Sequence, residues 1–128
     1  MTSRNRAGRL RGLATGVAGR VRFLSAWHQA RADERSRAAL RDAVDRLVGL
    51  GPGPDSIVTS LYSGRAGVAL AFLDAADALG DTTLTRRARG EIARLVAVAR
   101  PADGGVRWSG ADDVLTGNAG TVAAMFAF

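Results

Sequence analysis

Two glycines, Gly64 and Gly67, lie close together just before a run of apolar and small residues that ends at Leu73. Glycines at a helix start expose backbone N–H groups that can hold an anion, and Arg65 between them would add positive charge. The chain has neither the dinucleotide fingerprint nor a Gly-x-x-x-x-Gly-Lys phosphate loop, and it contains no lysine. Two interpretations remain: a nonspecific anion cradle, or a corner where a helix packs closely on its neighbour.

Few other residues have types suited to catalysis or metal binding. Ser63 lacks the Gly-x-Ser-x-Gly context of an activated serine. His28 is the single histidine, so any metal site would depend on carboxylates, and we expect this side chain at the surface or in packing. Asp112 and Asp113 have the chemistry of a cation site or a base, but before a predicted helix we expect them to cap it. We therefore assign no catalytic, cofactor-binding or metal-binding residue.

The composition favours helices. Hydrophobic residues make up 47% of the 128 residues and aromatic residues only 5%, so a core must be built from Ala, Val and Leu. We find no apolar stretch of the roughly 18 residues that a membrane helix needs, and no secretory signal. The absence of cysteine excludes disulfides and is typical of a reducing compartment, so a cytoplasmic location is expected.

The net charge of +6 is concentrated near the start of the chain. Residues 1–41 contain ten arginines against Asp33 and Glu34, whereas residues 42–128 are slightly acidic. Such a basic arm could contact nucleic acid, an anionic membrane or an acidic peptide. We prefer a simpler explanation, in which arginine performs every solubilising role because the chain contains no lysine.

Hydrophobic periodicity predicts four helices joined by short loops. The second and fourth are amphipathic, the third is apolar on all sides, and a polar loop over residues 102–110 follows the fourth. Asp81 or Thr82 is the expected cap of the fourth helix. The predicted helices span residues 13–30, 36–50, 67–79 and 83–99; Pro52 and Pro54 are expected to stop the second, and Val96 lies on the predicted apolar face of the fourth.

The pattern Gly-x-Ala-Gly occurs three times, at residues 16–19, 64–67 and 117–120. The copies recur at about 50 residues, a period typical of helical-repeat folds in which one unit cannot cover its own apolar face. Recurrence favours packing over binding, because a single binding site would need the glycines once. The chain reaches Phe128 early in another apolar helix, so we expect a truncated or split repeat protein.

These residues resemble a known family. Residues 61–73, followed by Ala78 to Asp81, are similar to the Gly-x-Ala-Gly inner-helix repeat of the lanthionine synthetase C-like proteins. Trp108 and residues 113–120 resemble the next repeat, and residues 38–50 resemble a preceding outer helix. The resemblance divides the chain into a basic arm, partly helical or disordered, over residues 1–34 and truncated repeats over residues 35–128.

The resemblance implies an all-α fold, a partial α/α toroid of inner and outer helices. Members of the family cyclise dehydrated lanthipeptide precursors: a zinc-activated cysteine thiol adds to dehydroalanine or dehydrobutyrine and forms a thioether ring. The family's zinc ligands are two cysteines and a histidine in the C-terminal half of the toroid. This chain has no cysteine, and His28 lies outside residues 35–128, so no ligand and no cofactor is assigned within it.

The leading hypothesis is an N-terminal piece of such a cyclase, inactive alone, with a precursor peptide or a complementing C-terminal subunit as partner. One alternative is a small helical module that binds a peptide or partner without catalysis, and an open toroid would also favour self-association. A less favoured alternative is a basic contact with nucleic acid through residues 4–41.

Overall fold

The computed structural model describes residues 11–13, 16–51, 59–62, 64–114 and 117–128. Within them the chain is mostly helical, which confirms the all-α prediction, and one small antiparallel hairpin is added. The predictions for residues 1–10, for the helix-stopping prolines Pro52 and Pro54, and for Ser63 lie outside the described residues. The elements are α1 (Val17–Arg31), α2 (Glu34–Gly49), α3 (Arg65–Leu79), α4 (Thr82–Val98), β1 (Arg100–Ala102), β2 (Gly105–Arg107) and α5 (Asn118–Met125).

The amphipathic helices α2 and α4 begin at aspartate caps. The Asp33 carboxylate accepts a hydrogen bond from the Ser36 N–H at 2.8 Å, and Asp81 accepts one from Thr83 at 3.0 Å. Each bond satisfies an N–H group that has no partner inside its helix. The predicted apolar face of α2 is confirmed, whereas Val96, predicted on the buried face of α4, is exposed.

Helix α3 lies at the centre of the described fold and packs against α1, α2, α4 and α5. Its buried residues surround the helix, as its continuous run of small and apolar side chains predicts. Helix α1 contributes Val21 and Leu24 to the same core as α2 and α3. The division of the chain between residues 34 and 35 stays a prediction.

The hairpin overlaps the segment predicted as a polar loop over residues 102–110 and begins just before it, at Arg100. Arg100 pairs with Arg107 and Ala102 pairs with Gly105 across the two strands. The turn residues Asp103 and Gly104 both have positive φ angles, 46° and 79°. Asp-Gly is a preferred pair for a two-residue turn of this geometry, so the sequence carried a signal for the hairpin.

The three Gly-x-Ala-Gly copies adopt the same local structure. Gly16, Gly64 and Gly117 are the N-caps of α1, α3 and α5, and each has an extended backbone. The second glycine of each copy lies in the first helical turn, directly against a backbone carbonyl. A Cβ atom at Gly19, Gly67 or Gly120 would overlap the carbonyl oxygen of Leu13, Leu61 or Val114, respectively.

The same glycines also connect successive repeats. A Cβ at Gly67 would lie 2.6 Å from Leu13 Cγ, and one at Gly120 would lie 3.0 Å from Leu61 Cβ. We call each Gly-x-Ala-Gly helix start a glycine corner. The leucine that lies three residues before one glycine corner therefore packs on the second glycine of the next corner. This arrangement confirms the packing interpretation of the glycines, because both contacts need a missing side chain.

We expect Gly67→Ala to destabilise the fold by about 1–3 kcal/mol, since the new methyl group overlaps the Leu61 carbonyl and the Leu13 side chain. Gly90→Ala is the matched control, because Gly90 is exposed on α4 and no atom lies near the position of its Cβ. It should stabilise the protein by roughly 0.5–1 kcal/mol through helix propensity. Urea unfolding followed by circular dichroism measures both; equal effects would contradict the packing role of Gly67.

The cap of α4 should make stability depend on acid pH. Hydrogen bonds from Thr83 and Arg41 to the Asp81 carboxylate lower its pKa to about 2. A depressed carboxyl pKa contributes stability that is present above the unfolded-state pKa, about 3.9, and is lost as pH falls towards 2. We expect Asp81→Ala to melt at a lower temperature than the wild type at neutral pH, and the difference to shrink between about pH 4 and pH 2.

Asp81→Asn is the control for this cap, because its side-chain oxygen still accepts the Thr83 hydrogen bond but does not titrate. Its melting temperature should exceed that of Asp81→Ala. A difference between wild type and Asp81→Ala that stays constant from neutral pH to pH 2 would show that the carboxylate is not responsible.

Candidate functional site

The arginine of the central motif is buried. Arg65 occupies the first position of α3, and its side chain is only 2% exposed. Its Nη1 atom donates to Glu91 Oε2 of α4 at 2.6 Å. The guanidinium therefore points into the protein and pairs with a fixed carboxylate. Arg65 is therefore not available to bind an anion at the start of α3, as the anion-cradle interpretation requires.

Glu91 also binds a second arginine from far away in the sequence. Arg11 Nη2 donates to Glu91 Oε1 at 2.7 Å, and all three side chains of this buried ion cluster, Arg11, Arg65 and Glu91, are almost fully buried. Burial lowers the pKa of Arg11, because desolvation penalises its charged form more than Glu91 compensates. The cluster connects the segment before α1 to the start of α3 and the middle of α4.

The hydrogen bonds of the ion cluster indicate a structural role. Both carboxylate oxygens of Glu91 accept charged hydrogen bonds, so neither is poised to take a proton from a substrate. A buried charge without its counter-ion is strongly destabilising, so the cluster makes the positions of its three segments interdependent. No motif in the sequence marks Glu91, which follows Gly90 on a helix whose other charged residues face solvent.

A cleft of about 300 Å³ opens beside the ion cluster. Glu91, already paired, is the acidic residue in its lining, and Arg87 and Arg94 add positive charge next to Arg11. Phe72 and Leu47 form the apolar side of the same cleft. Its charge favours an anionic group over a cation.

The variable residue of the third motif performs a different task. The Asn118 Oδ1 atom accepts hydrogen bonds from the Trp108 N–H at 2.8 Å and the Ser109 N–H at 3.0 Å. Its Nδ2 group donates to the carbonyls of Ser109 and Ala111 and to the Asp112 carboxylate. Asn118 thereby fixes the loop after the hairpin onto the start of α5.

Trp108 anchors that loop at its other end. The indole Nε1 donates to the Leu95 carbonyl at 2.7 Å, close to the C-terminal end of α4, where carbonyls lack helical partners. Trp108 also packs on the small core cluster that contains Leu95 and Ala124. Trp108 and Asn118, both in the region that resembles the family's next repeat, are thus joined in one network that orients α5.

The other candidate residues have structural partners. His28 Nδ1 lies 2.7 Å from Ser36 Oγ, so the histidine connects α1 with α2 and is partly buried, as a packing role predicts. Asp112 does not cap α5, whose N-cap is Gly117 without a side-chain bond; it contacts Asn118 and Arg107 instead. The Asp113 backbone carbonyl accepts from the Gly117 N–H. The capping expectation for the Asp112 side chain is therefore wrong, and the expectation for the Asp113 side chain stays a prediction.

Metal-ligand clusters and membrane-spanning helices are missing from the part of the chain that the structure describes. No group of three or more His, Cys, Asp or Glu side chains there has the arrangement of a metal site. None of the described helices is long and apolar enough to cross a membrane.

We expect Glu91→Gln to reduce the free energy of unfolding by about 3–5 kcal/mol, because it removes the buried negative charge to which Arg11 and Arg65 donate. Asp74→Asn makes the same chemical change at the half-exposed Arg22–Asp74 ion pair between α1 and α3. This control should cost at most about 1 kcal/mol. Chemical denaturation compares the two variants, and a Glu91→Gln effect no larger than the control would refute the structural role of the cluster.

The comparison with protein families agrees with the repeat architecture. The family model for lanthionine synthetase C-like proteins matches residues 10–128, a range that begins before residue 35 and includes α1 and the ion cluster. No curated protein and no solved structure gives a significant match. The family match, together with three equivalent glycine corners in one helical core, shows that the chain belongs to the lanthionine synthetase C-like family.

Proposed function

We propose that this chain supplies the first repeats of a lanthionine synthetase C-like toroid that acts on dehydrated precursor peptides in the cytoplasm. In this proposal the chain is inactive alone and a separate C-terminal polypeptide completes the catalytic centre. The observation that carries the proposal is the chain of glycine corners, in which Leu13 packs on Gly67 and Leu61 packs on Gly120. Each repeat is positioned by the one before it, as a toroid wall requires.

The residues of this chain do not fit the zinc that the family uses. The sequence contains no cysteine, and its single histidine is bonded to Ser36. The described carboxylates do not converge on a common point. Glu91, the buried carboxylate among them, already accepts two charged hydrogen bonds. The proposal therefore assigns the metal ligands and the thiol chemistry to the complementing polypeptide.

The chain's own contribution is the shape of the wall. Helices α1, α3 and α5 begin at the glycine corners, and α3 packs against α2 and α4. In the proposed toroid the first three helices would form the inner series and the other two the outer series. The ion cluster holds α4 against the start of α3, and Asn118 sets the direction of α5. A precursor peptide would contact these helices, while the groups that catalyse its cyclisation would lie on the complementing polypeptide.

A second candidate function is a helical module that binds a partner without catalysis. It is favoured by large apolar side chains that face solvent, among them Phe23 on α1 and Val122 on α5. The nucleic-acid alternative has less support from the described arginines. Arg11 is buried, and Arg22, Arg31 and Arg41 each pair with an aspartate.

The test compares the 128-residue chain alone with the chain co-expressed with the polypeptide encoded downstream. Zinc content is measured by atomic spectrometry, and cyclisation of a dehydrated precursor peptide is measured by alkylation of its remaining thiols. Thiol addition to a dehydroamino acid leaves the peptide mass unchanged, so loss of alkylation reports the new thioether. We expect zinc and thiol consumption only with both polypeptides present.

Glu91→Gln provides a second arm, because it should reduce complementation together with stability, whereas Asp74→Asn should leave complementation unchanged. Stoichiometric zinc and thioether formation by the 128-residue chain alone would overturn the proposal. Tight peptide binding by the chain without cyclisation in either mixture would favour the partner-binding module.

A further inference from the structure

The cleft beside the ion cluster follows from the arrangement of three helices. Helices α2 and α4 both pack against α3 but make few direct contacts with each other. Near the start of α4 the ion pair between Arg41 and Asp81 bridges them. Further along, Leu47 and Val48 of α2, Phe72 of α3 and one face of α4 enclose the space of about 300 Å³. The cleft is therefore a gap between two helices that share α3 as a support.

The face of α4 that lines the cleft carries an excess of positive charge. Its lining residues recur at the spacing of one helix side: Arg87, Gly90, Glu91 and Arg94. No atom lies near the position of a Cβ at Gly90, so the cleft is open at that point. Together with Arg11, the lining contains three arginines and one glutamate, which leaves a surplus of two positive charges.

The arginines of the cleft extend from the interior of the protein to its surface. Arg11 is 4% exposed, whereas Arg87 and Arg94 are exposed to solvent. Desolvation is the main cause that lowers the pKa of Arg11, and the carboxylate of Glu91 opposes it. The positive charges of Arg65 and Arg94 lower the same pKa further. One carboxylate thus faces several guanidinium groups, and the cleft attracts an added anion.

The opposite wall of the cleft is apolar. Leu47 and Phe72 are buried there, and Val48 is half-buried. An inorganic anion gains nothing from such a wall, whereas an anion that carries an apolar group removes that group and Val48 from water together. The lining therefore suits an amphiphilic anion, with its charged end at α4 and its apolar end at α2.

The charge of the lining indicates which anionic group fits. A phosphate monoester carries a charge of about −1.5 to −2 near pH 7 and offers three acceptor oxygens. This charge matches the surplus of two arginines more closely than the single charge of a carboxylate does. Guanidinium groups bind phosphate oxygens through paired N–H donors in a fixed geometry.

We propose that the cleft between α2 and α4 binds a small organic phosphate. Arg87 and Arg94 bind the phosphate group, and the organic group packs on the wall that contains Val48. Arg11 supplies positive charge from the buried side, where its hydrogen bond to Glu91 holds it in place. The proposal does not rest on the proposed function of the chain, because binding of a phosphate needs no complementing polypeptide.

The probe is phenyl phosphate, a phosphate monoester with an apolar ring. Isothermal titration calorimetry at constant ionic strength measures its dissociation constant for the 128-residue chain. We expect Arg87→Gln and Arg94→Gln each to weaken binding about tenfold, because each removes a charged hydrogen bond. Inorganic phosphate should bind more weakly than phenyl phosphate, since it lacks the ring. Chemical-shift changes in nuclear magnetic resonance spectra should centre on Val48, Phe72 and Gly90.

Arg86→Gln is the matched control, because it removes the same charge from an exposed residue of α4 that does not line the cleft. It should change the dissociation constant by less than about twofold, since solvent and salt screen its charge. Circular dichroism checks that every variant keeps its helices.

Three results would overturn the proposal. They are the absence of phenyl phosphate binding, equal weakening by all three substitutions, and equal affinity for inorganic phosphate and phenyl phosphate. The second would show diffuse attraction to a basic surface, and the third would show that the apolar wall plays no part. None of them bears on zinc content or thioether formation in the complementation experiment, so the two proposals fail separately.

Discussion

The close approach of a backbone carbonyl to the second glycine of each motif is the constraint on which the rest of the fold depends. At Gly19, Gly67 and Gly120 the helix begins with a carbonyl oxygen lying where a side chain would be. This contact fixes how the incoming loop meets the helix. It also leaves room for the Leu13 and Leu61 side chains to reach the next repeat. Local backbone geometry and the spacing of α1, α3 and α5 are therefore set by the same atoms.

The second position of the Gly-x-Ala-Gly motif differs between repeats, and its side chain contacts residues that are particular to each repeat. Arg65 extends to Glu91 on helix α4, whereas Asn118 holds the loop that contains Trp108. Both side chains sit at the first position of their helix, so their direction is fixed by the glycine before them. The ion cluster costs desolvation of three charges, and a cost of this kind is recovered only when the pairing geometry is maintained. Helix α4 is thus held in place through Glu91 by Arg65, which directly follows the N-cap glycine Gly64.

Periodicity and glycine spacing were enough to predict the helices, their buried faces and the packing role of Gly67. These features depend on residues near one another in sequence, where the pattern of apolar side chains records the environment directly. The role of Glu91 could not be predicted in this way, because its partners Arg11 and Arg65 lie far away along the chain. The hairpin was missed for another reason: its Asp-Gly signal at Asp103 was present but stood among polar residues without strand-like alternation. Exposed Val96 shows that hydrophobic character alone does not decide which side of a helix is covered.

The ionisable groups with restricted surroundings in the described part of the chain are bound within the fold: Glu91 to two arginines, Asp33 and Asp81 to helix caps, and His28 to Ser36. Each of these hydrogen bonds either joins two segments or satisfies a backbone group at the start of a helix. The apolar side chains of the same helices are stabilised by their removal from water, which has no preferred direction. The polar contacts therefore hold the helices in the arrangement in which their apolar residues are buried, and the two kinds of interaction support the same fold.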